Sequence, residues 1–341
     1  EDYKYPRYFN TPNQLALSKK IAELEKCESA LLFGSGIAAI FTSLFSFLKS
    51  GDHVLFQSSL YGGTINLVVK EFKKFNIDYT FVESLEIKDF ELELKVNTRI
   101  IYVESPSNPL LQVIDLRKIA NFSKNNNLIS IIDNTFASPI NQTPIDFGID
   151  IVLHSATKYL GGHSDILAGT VASSSSNIEK IIESSINYGG NLSEYTVWLL
   201  ERSIKTLSLR VNAQNENAQK LAEFLNNNKN VDLVFYPGLK SHPQHELSKR
   251  QMNGYGGMLS FVLKNKDKAS DFTRSLKLIK PAMSLGGVES TISSPSLTSH
   301  SKLSKEQRIK YGISDGLLRF SVGIEDYNDL ENDLSQAFKI L

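Results

Sequence analysis

The most constraining feature of the chain is an alternation, sustained through its first half, of short apolar runs and longer amphipathic ones. The runs Ala30 to Phe33, Val54 to Gln57, Asp78 to Val82, Ile100 to Glu104, Leu128 to Ile132, Ile149 to Leu153 and Ile166 to Ala172 have the length and apolar content of buried strands. Helical patterns precede or separate them: Leu15 to Lys26, with Leu17, Ile21 and Leu24 on one face, then Ile65 to Phe75 and Asp115 to Asn125. Strands alternating with helices predict an α/β unit with a mainly parallel sheet and right-handed crossovers. Ligands bind such sheets beyond the carboxyl ends of the strands, so chemistry is sought in the residues that follow each run.

At 341 residues the chain exceeds one typical domain. An extended arm is expected at 1–12, a larger α/β domain at 13–207, and a smaller C-terminal α+β domain at 208–341. The last of these mixes helices such as Asn212 to Leu225 with strands such as Met258 to Leu263 and Leu317 to Val322. A helical pattern from Val197 to Leu209 leads out of the larger domain, and Ser173 to Ser176 reads as a small polar loop. Lysine plus arginine equals aspartate plus glutamate at 37 each, so no basic field attracts nucleic acid or an anionic membrane. Ser29 to Leu48 holds no charge and is long enough to span a bilayer, yet Gly34-Ser35-Gly36 interrupts it and Thr42, Ser43 and Ser46 punctuate the rest. A short strand, a turn and a buried helix are expected there. The single Cys27 excludes an internal disulfide, and with no signal-peptide pattern the expected location is cytoplasmic.

The segment His154-Ser155-Ala156-Thr157-Lys158-Tyr159-Leu160-Gly161-Gly162 follows the strand Ile149 to Leu153. A lysine amine shielded at a strand end can lose its proton and attack an aldehyde, which makes Lys158 a Schiff-base candidate. Ser155 and Thr157 offer hydroxyls suited to a phosphate. Gly34-Ser35-Gly36-Ile37-Ala38-Ala39 turns from a strand into a helix whose first N–H groups would favour an anion. The same residues satisfy G-x-G-x-x-A, with Asp52 at the distance of a ribose contact, but a dinucleotide reading leaves Lys158 unexplained. Tyr61 presents a flat face for stacking and a titratable hydroxyl. Asn108 and Asp133 follow strand ends, where each could equally serve a turn. Arg319 interrupts the apolar strand Leu317 to Val322 and needs an anionic partner, either a substrate carboxylate or an internal acid. His242-Pro243-Gln244-His245, lacking a nearby cysteine or acidic cluster, reads as a loop, and no metal is expected.

Taken together, these motifs resemble those of the Cys/Met-metabolism enzymes that use pyridoxal 5'-phosphate (PLP), from Tyr5 to nearly the last residue. That group includes cystathionine gamma-synthase, cystathionine gamma- and beta-lyases and methionine gamma-lyase. The resemblance implies the PLP-dependent transferase fold type I, with PLP bound to the larger domain through Lys158. It further implies that Ser35, Gly36, Ile37, Ser155 and Thr157 surround the phosphate, that Tyr61 stacks on the ring, and that Asp133 keeps the pyridine nitrogen protonated. Tyr5-Pro6-Arg7 matches a motif that reaches a neighbour's phosphate, implying a homo-oligomer, a tetramer of two active-site-sharing dimers. Asn108 matches the residue that contacts the ring's phenolic oxygen; Ser284 and Arg319 match residues at the substrate carboxylate.

Glu289, in Ser284-Leu285-Gly286-Gly287-Val288-Glu289-Ser290, matches a glutamate typical of cystathionine enzymes. Gly63 stands where methionine gamma-lyases commonly carry cysteine, while Tyr8 and Asn66 replace arginines frequent in gamma-synthases and gamma-lyases. The expected activity is elimination or replacement at Cγ or Cβ of a sulfur amino acid or homoserine ester, with cystathionine gamma-synthase or gamma-lyase ahead of beta-lyase and methionine gamma-lyase. A catalytically silent PLP-binding protein is the alternative from another class.

Overall fold

Strands buried on both faces dictate the larger layer. In β4, Ile100 and Tyr102 point into one apolar cluster and Ile101 and Val103 into another, so the two-residue period of the strand supplies both faces of one sheet. The computed structural model describes residues 3–298 and 305–341. Its elements run α1 (Pro12–Leu24), β1 (Ser29–Phe33), α2 (Gly36–Phe45), β2 (His53–Gln57), α3 (Gly62–Glu71), β3 (Asp78–Val82), α4 (Ile87–Leu92), β4 (Thr98–Glu104), α5 (Leu116–Asn125), β5 (Ile129–Asp133), α6 (Ser138–Asn141), β6 (Ile151–His154), β7 (Gly169–Ser173) and α7 (Ser175–Tyr188). The seven strands lie in the order β1-β7-β6-β5-β4-β2-β3. β6, β5, β4, β2 and β3 pair in parallel, while β7 runs antiparallel to both β6 and β1. The uncharged stretch at 29–48 is indeed strand, turn and helix, and no helix among the described residues is long and apolar enough to cross a membrane.

α8 (Glu194–Ile204) and α9 (Leu207–Asn226) lead to a second sheet. The remaining elements are β8 (Val231–Phe235), α10 (His245–Gln251), β9 (Met258–Leu263), α11 (Ala269–Ser275), β10 (Lys280–Pro281), β11 (Thr291–Ser293), α12 (Lys305–Lys310), β12 (Leu317–Ser321) and α13 (Tyr327–Phe338). This sheet has the order β10-β11-β12-β9-β8 and is mostly antiparallel. Its core joins Phe261, Phe272, Leu318 and Phe320 to Leu221 and Leu225 of α9 and Leu334 of α13. The opposite end of α9, at Leu207 and Val211, packs into a cluster with Leu32, Tyr159 and Met258, so this one helix touches both layers.

Three local expectations change. The helix read across Val197 to Leu209 is broken at 205–206 into α8 and α9. Ser173 to Ser176 is not a loop throughout, because the Ser174 hydroxyl accepts from Asn177 N–H and starts α7 at Ser175. The last strand of the sheet begins at Gly169 rather than Ile166, since Ala168 is engaged elsewhere. Its N–H donates to the Thr157 hydroxyl at 3.0 Å, and that hydroxyl donates back to the Ala168 carbonyl at 3.1 Å.

Candidate active site

The parallel strands β2, β4, β5 and β6 present their carboxyl ends along one edge of the sheet, and Lys158 follows β6 at that edge. The loop after β6 is tightly wound: Lys158 N–H donates to Ser155 O at 3.0 Å, Gly161 N–H to Ala156 O at 2.8 Å, and Gly162 N–H to Lys158 O at 2.7 Å. The half-buried Lys158 amine donates to Ser284 Oγ at 3.3 Å. Burial lowers the pKa of that amine, and the positive charge of Arg319 lowers it further, so its nucleophilic form is reached at lower pH than in an ordinary lysine.

Asp133 closes β5 and is buried. Both donors of Thr135, its N–H and its hydroxyl, go to Asp133 Oδ1, leaving Oδ2 for a further donor. Burial raises this carboxyl, while the Thr135 bonds and then the neighbouring His154 pull it back. Thr135 Oγ1 also accepts from Ser155 N–H at 2.8 Å, which ties the aspartate to the lysine loop. Behind them His154 pairs with the buried carboxyl of Glu25, at the end of α1.

Ser35 caps α2, accepting from Ala38 N–H at 3.1 Å, so the N–H groups of Gly36 and Ile37 open the helix. A Cβ on Gly36 would come within 2.8 Å of Ser155 Cβ, so the two phosphate-type loops are in contact. The Thr157 hydroxyl, by contrast, is engaged with Ala168. Asp52, needed for the dinucleotide alternative, precedes β2 at the far end of the sheet, accepting from Lys49 N–H and pairing with Arg99.

Arg319, on β12 of the second sheet, is 6% exposed. It donates to Asn108 Oδ1 at 3.2 Å and to Met283 O at 2.7 Å, and among the described residues no carboxylate pairs with it. Burial lowers its pKa to about 10. Met283 and Ser284 are adjacent, so one turn of chain holds Arg319 by its carbonyl and Lys158 by its hydroxyl. Glu289 is exposed and takes the hydroxyl hydrogen of Ser164, just past the lysine loop. Tyr61 is half exposed at the start of α3, its N–H bound to Glu104 at 2.7 Å.

Lys158, Asp133, Ser155, Thr157, Ser35, Gly36, Ile37, Tyr61, Asn108, Ser284, Arg319 and Glu289 thus belong to one cluster of loops. Tyr5 and Arg7 lie apart on the surface, Arg7 donating to Ile186 O at 2.8 Å with its guanidinium over the rings of Tyr5 and Tyr8. Sequence reasoning passed over Glu104 and Arg210. The signal for Glu104 was present, a charge closing the run Ile100 to Val103, and so was that for Arg210, which shares the buried face of α9 with Leu207, Val211 and Gln214.

These residues fit PLP. The group supplies an aldehyde for an amine, a phosphate for the helix start and a ring nitrogen for a buried carboxylate, and when bound it acts as an electron sink. The profile of the Cys/Met metabolism PLP-dependent enzyme family matches residues 1–339. A cystathionine beta-lyase of Lactococcus lactis subsp. cremoris is 44% identical over 342 residues, covering 99% of this chain and 89% of that protein. A cystathionine gamma-lyase of Bacillus subtilis is 44% identical over 338 residues with the same two coverages. The crystal structure of cystathionine gamma-lyase from Lactobacillus plantarum complexed with L-serine superposes with a TM-score of 0.96 at 39% identity, over 99% of this chain and 89% of that one. With this fold, this lysine and these relatives, the chain belongs to the Cys/Met-metabolism family and is a PLP-dependent enzyme of fold type I.

Proposed function

We propose that the chain is a cystathionine lyase, breaking a carbon–sulfur bond at Cβ or Cγ. The observation that carries this reading is Arg319, a buried guanidinium whose protein partners are neutral oxygens, joined through Met283 and Ser284 to the Lys158 amine. A buried cation with no carboxylate bonded to it among the described residues suits an anion delivered by the substrate, and a guanidinium takes a carboxylate with two parallel bonds. In this reading the Arg319 anchor holds the α-carboxylate while the Lys158 amine removes the Cα proton. Asp133 Oδ2 would keep the ring nitrogen of bound PLP protonated, and the Gly36 and Ile37 N–H groups with Ser35 and Ser155 would hold its phosphate. Tyr61 covers the ring, and its hydroxyl returns a proton to the departing sulfur. Loss of sulfur from Cβ needs only the first deprotonation; loss from Cγ needs a second at Cβ.

Support for cystathionine comes from Glu289, whose carboxylate lies beside the lysine loop and suits the distal amino group, and from Gly63 where methionine gamma-lyases commonly carry cysteine. The relatives reported above are lyases, which, of the gamma-synthase and gamma-lyase expected together from the motifs, favours a lyase. We further propose a homo-oligomer in which Tyr5 and Arg7 serve a neighbour's phosphate; the exposure of both residues supports this. A cytoplasmic location is supported by the lone Cys27, which has no second cysteine in this chain to pair with.

Incubation of the PLP-loaded enzyme with cystathionine should release pyruvate for cleavage at Cβ or 2-oxobutanoate for cleavage at Cγ. Borohydride reduction followed by peptide mapping should place a pyridoxyl group on Lys158. An adduct on another lysine, or none, overturns the reading. Formation of cystathionine from O-succinylhomoserine and cysteine without cleavage of cystathionine would replace the lyase by a synthase.

A further inference from the structure

Glu104 closes β4, and its side chain is buried at 4% exposure among the site loops, yet nothing in the chemistry proposed above uses it. Burying a carboxyl costs heavily unless its oxygens are filled. Here both are: Oε2 accepts from Tyr61 N–H at 2.7 Å and Oε1 from Asn108 N–H at 3.0 Å. Its own N–H donates to Gln57 Oε1 at 3.2 Å, which ties the end of β4 to the end of β2. The two N–H groups belong to different loops, one after β2 and one after β4. Asn108 then accepts from Arg319 through its side chain at 3.2 Å. A continuous path of hydrogen bonds therefore runs from the Tyr61 backbone through one carboxylate to the guanidinium on the second sheet.

We propose that Glu104 is a positioning residue that sets the placement of Tyr61 relative to Arg319, and so aligns the substrate's α-carboxylate with the cofactor ring. The proposal rests on the functional reading given above. Of the side chains, a carboxylate is suited to this task because it offers two acceptor oxygens and no donor, whereas a glutamine would turn an NH2 toward one of the two N–H groups. Burial and the charge of Asp133, which faces Glu104 in register from β5, push its carboxyl well above the usual range; the two N–H bonds and Arg319 from β12 oppose this. Tyr102, fully buried on the same strand, adds no positive charge.

The test uses the PLP-loaded enzyme and the variants Glu104→Gln and Glu104→Asp, the second keeping the carboxyl group but withdrawing it by one methylene. Two probes are bound and followed by the cofactor's visible absorbance: glycine, which carries an α-carboxylate, and methylamine, which does not. Loss of the bonds to Glu104 should weaken glycine about tenfold or more, in line with hydrogen bonds to a charged group, and methylamine less than about twofold. The visible circular dichroism of the bound cofactor should fall as Tyr61 shifts, KM for cystathionine should rise more than kcat falls, and the pyridoxyl adduct should stay on Lys158. Equal weakening of both probes, or unchanged affinities and dichroism in both variants, overturns the proposal and leaves Glu104 a loop anchor. Should one variant fail to fold, the other decides. A wild-type enzyme without the Lys158 adduct overturns the functional reading instead, which keeps the two failures apart.

Discussion

Arg319 and Arg210 are both buried, both lack a carboxylate partner among the described residues, and both are lowered by burial to about 10, yet they are held in opposite ways. Arg210 makes four hydrogen bonds. Its Nε donates to Thr206 Oγ1 at 3.1 Å, Nη1 to Tyr159 O at 2.8 Å, and Nη2 to Ser203 O at 3.0 Å and Leu160 O at 3.4 Å. Three backbone carbonyls and a hydroxyl fill the fork, so Arg210 clamps the chain just beyond Lys158 and has little left for a ligand. Arg319 has two neutral acceptors and donors to spare. The count of filled donors, rather than burial or charge, separates a guanidinium that shapes a site from one suited to bind in it.

Five substitutions sharpen or break this contrast. The largest effect is expected where both regions converge: Lys158→Ala should cut turnover roughly a thousandfold or more, the scale of a lost general base, with little loss of fold. Arg319→Met should raise KM for cystathionine about a hundredfold, as expected for loss of a bidentate carboxylate contact, while the melting temperature stays near that of wild type. It should also move the amine. Arg319 lowers the Lys158 pKa after burial does, so removing the guanidinium raises that pKa, and in cofactor-free protein the onset of reaction with PLP should shift to higher pH. A steep fall in stability with unchanged KM would show Arg319 to be another clamp.

Arg210→Met should do the reverse, costing about 3 kcal/mol of stability in denaturant titrations with KM largely kept. Gly162 supplies an independent check. It has φ +71°, and a Cβ there would meet Arg210 Nη1 at 1.9 Å, so Gly162→Ala should destabilise through the same contact. In the double variant the two costs should sum to less than the singles, and full additivity would dissolve the clamp. The smallest effect is expected at Gly63, where a Cβ would come within 2.3 Å of Tyr61 Cε1. Gly63→Ala should displace the ring and change kcat by roughly threefold, a near-attack geometry effect; an unchanged kcat would mean that the ring's place is set elsewhere.

The strands and the chemical classes were legible because both are local signals. An apolar run of five residues reports burial on two faces, and a lone lysine or arginine beside such a run reports a charge that needs a reason to be there. Arg319 was found that way, and Glu104 could have been by the same rule. What escaped was contact order. Thr157 was assigned to a phosphate by its place beside Lys158, but its hydroxyl is also tied to Ala168, eleven positions on, and that tie shortened the last strand. Arg210 was hidden in a helix whose pattern was read in two separate pieces, Val197 to Leu209 and Asn212 to Leu225, with the residue falling between them.

By itself the sequence determined the alternation of strands and helices, the burial of both faces of the larger sheet, and the presence of an amine, an acid, an aromatic and a guanidinium at strand ends or within strands. The tertiary structure decided which of them meet. Lys158 and Ser284 are 126 positions apart, and Asn108 and Arg319 are 211 apart. Side-chain periodicity encodes which face of an element is covered, but not by what. That depends on strand order, here β4 beside β2, and on how the second sheet closes over the first.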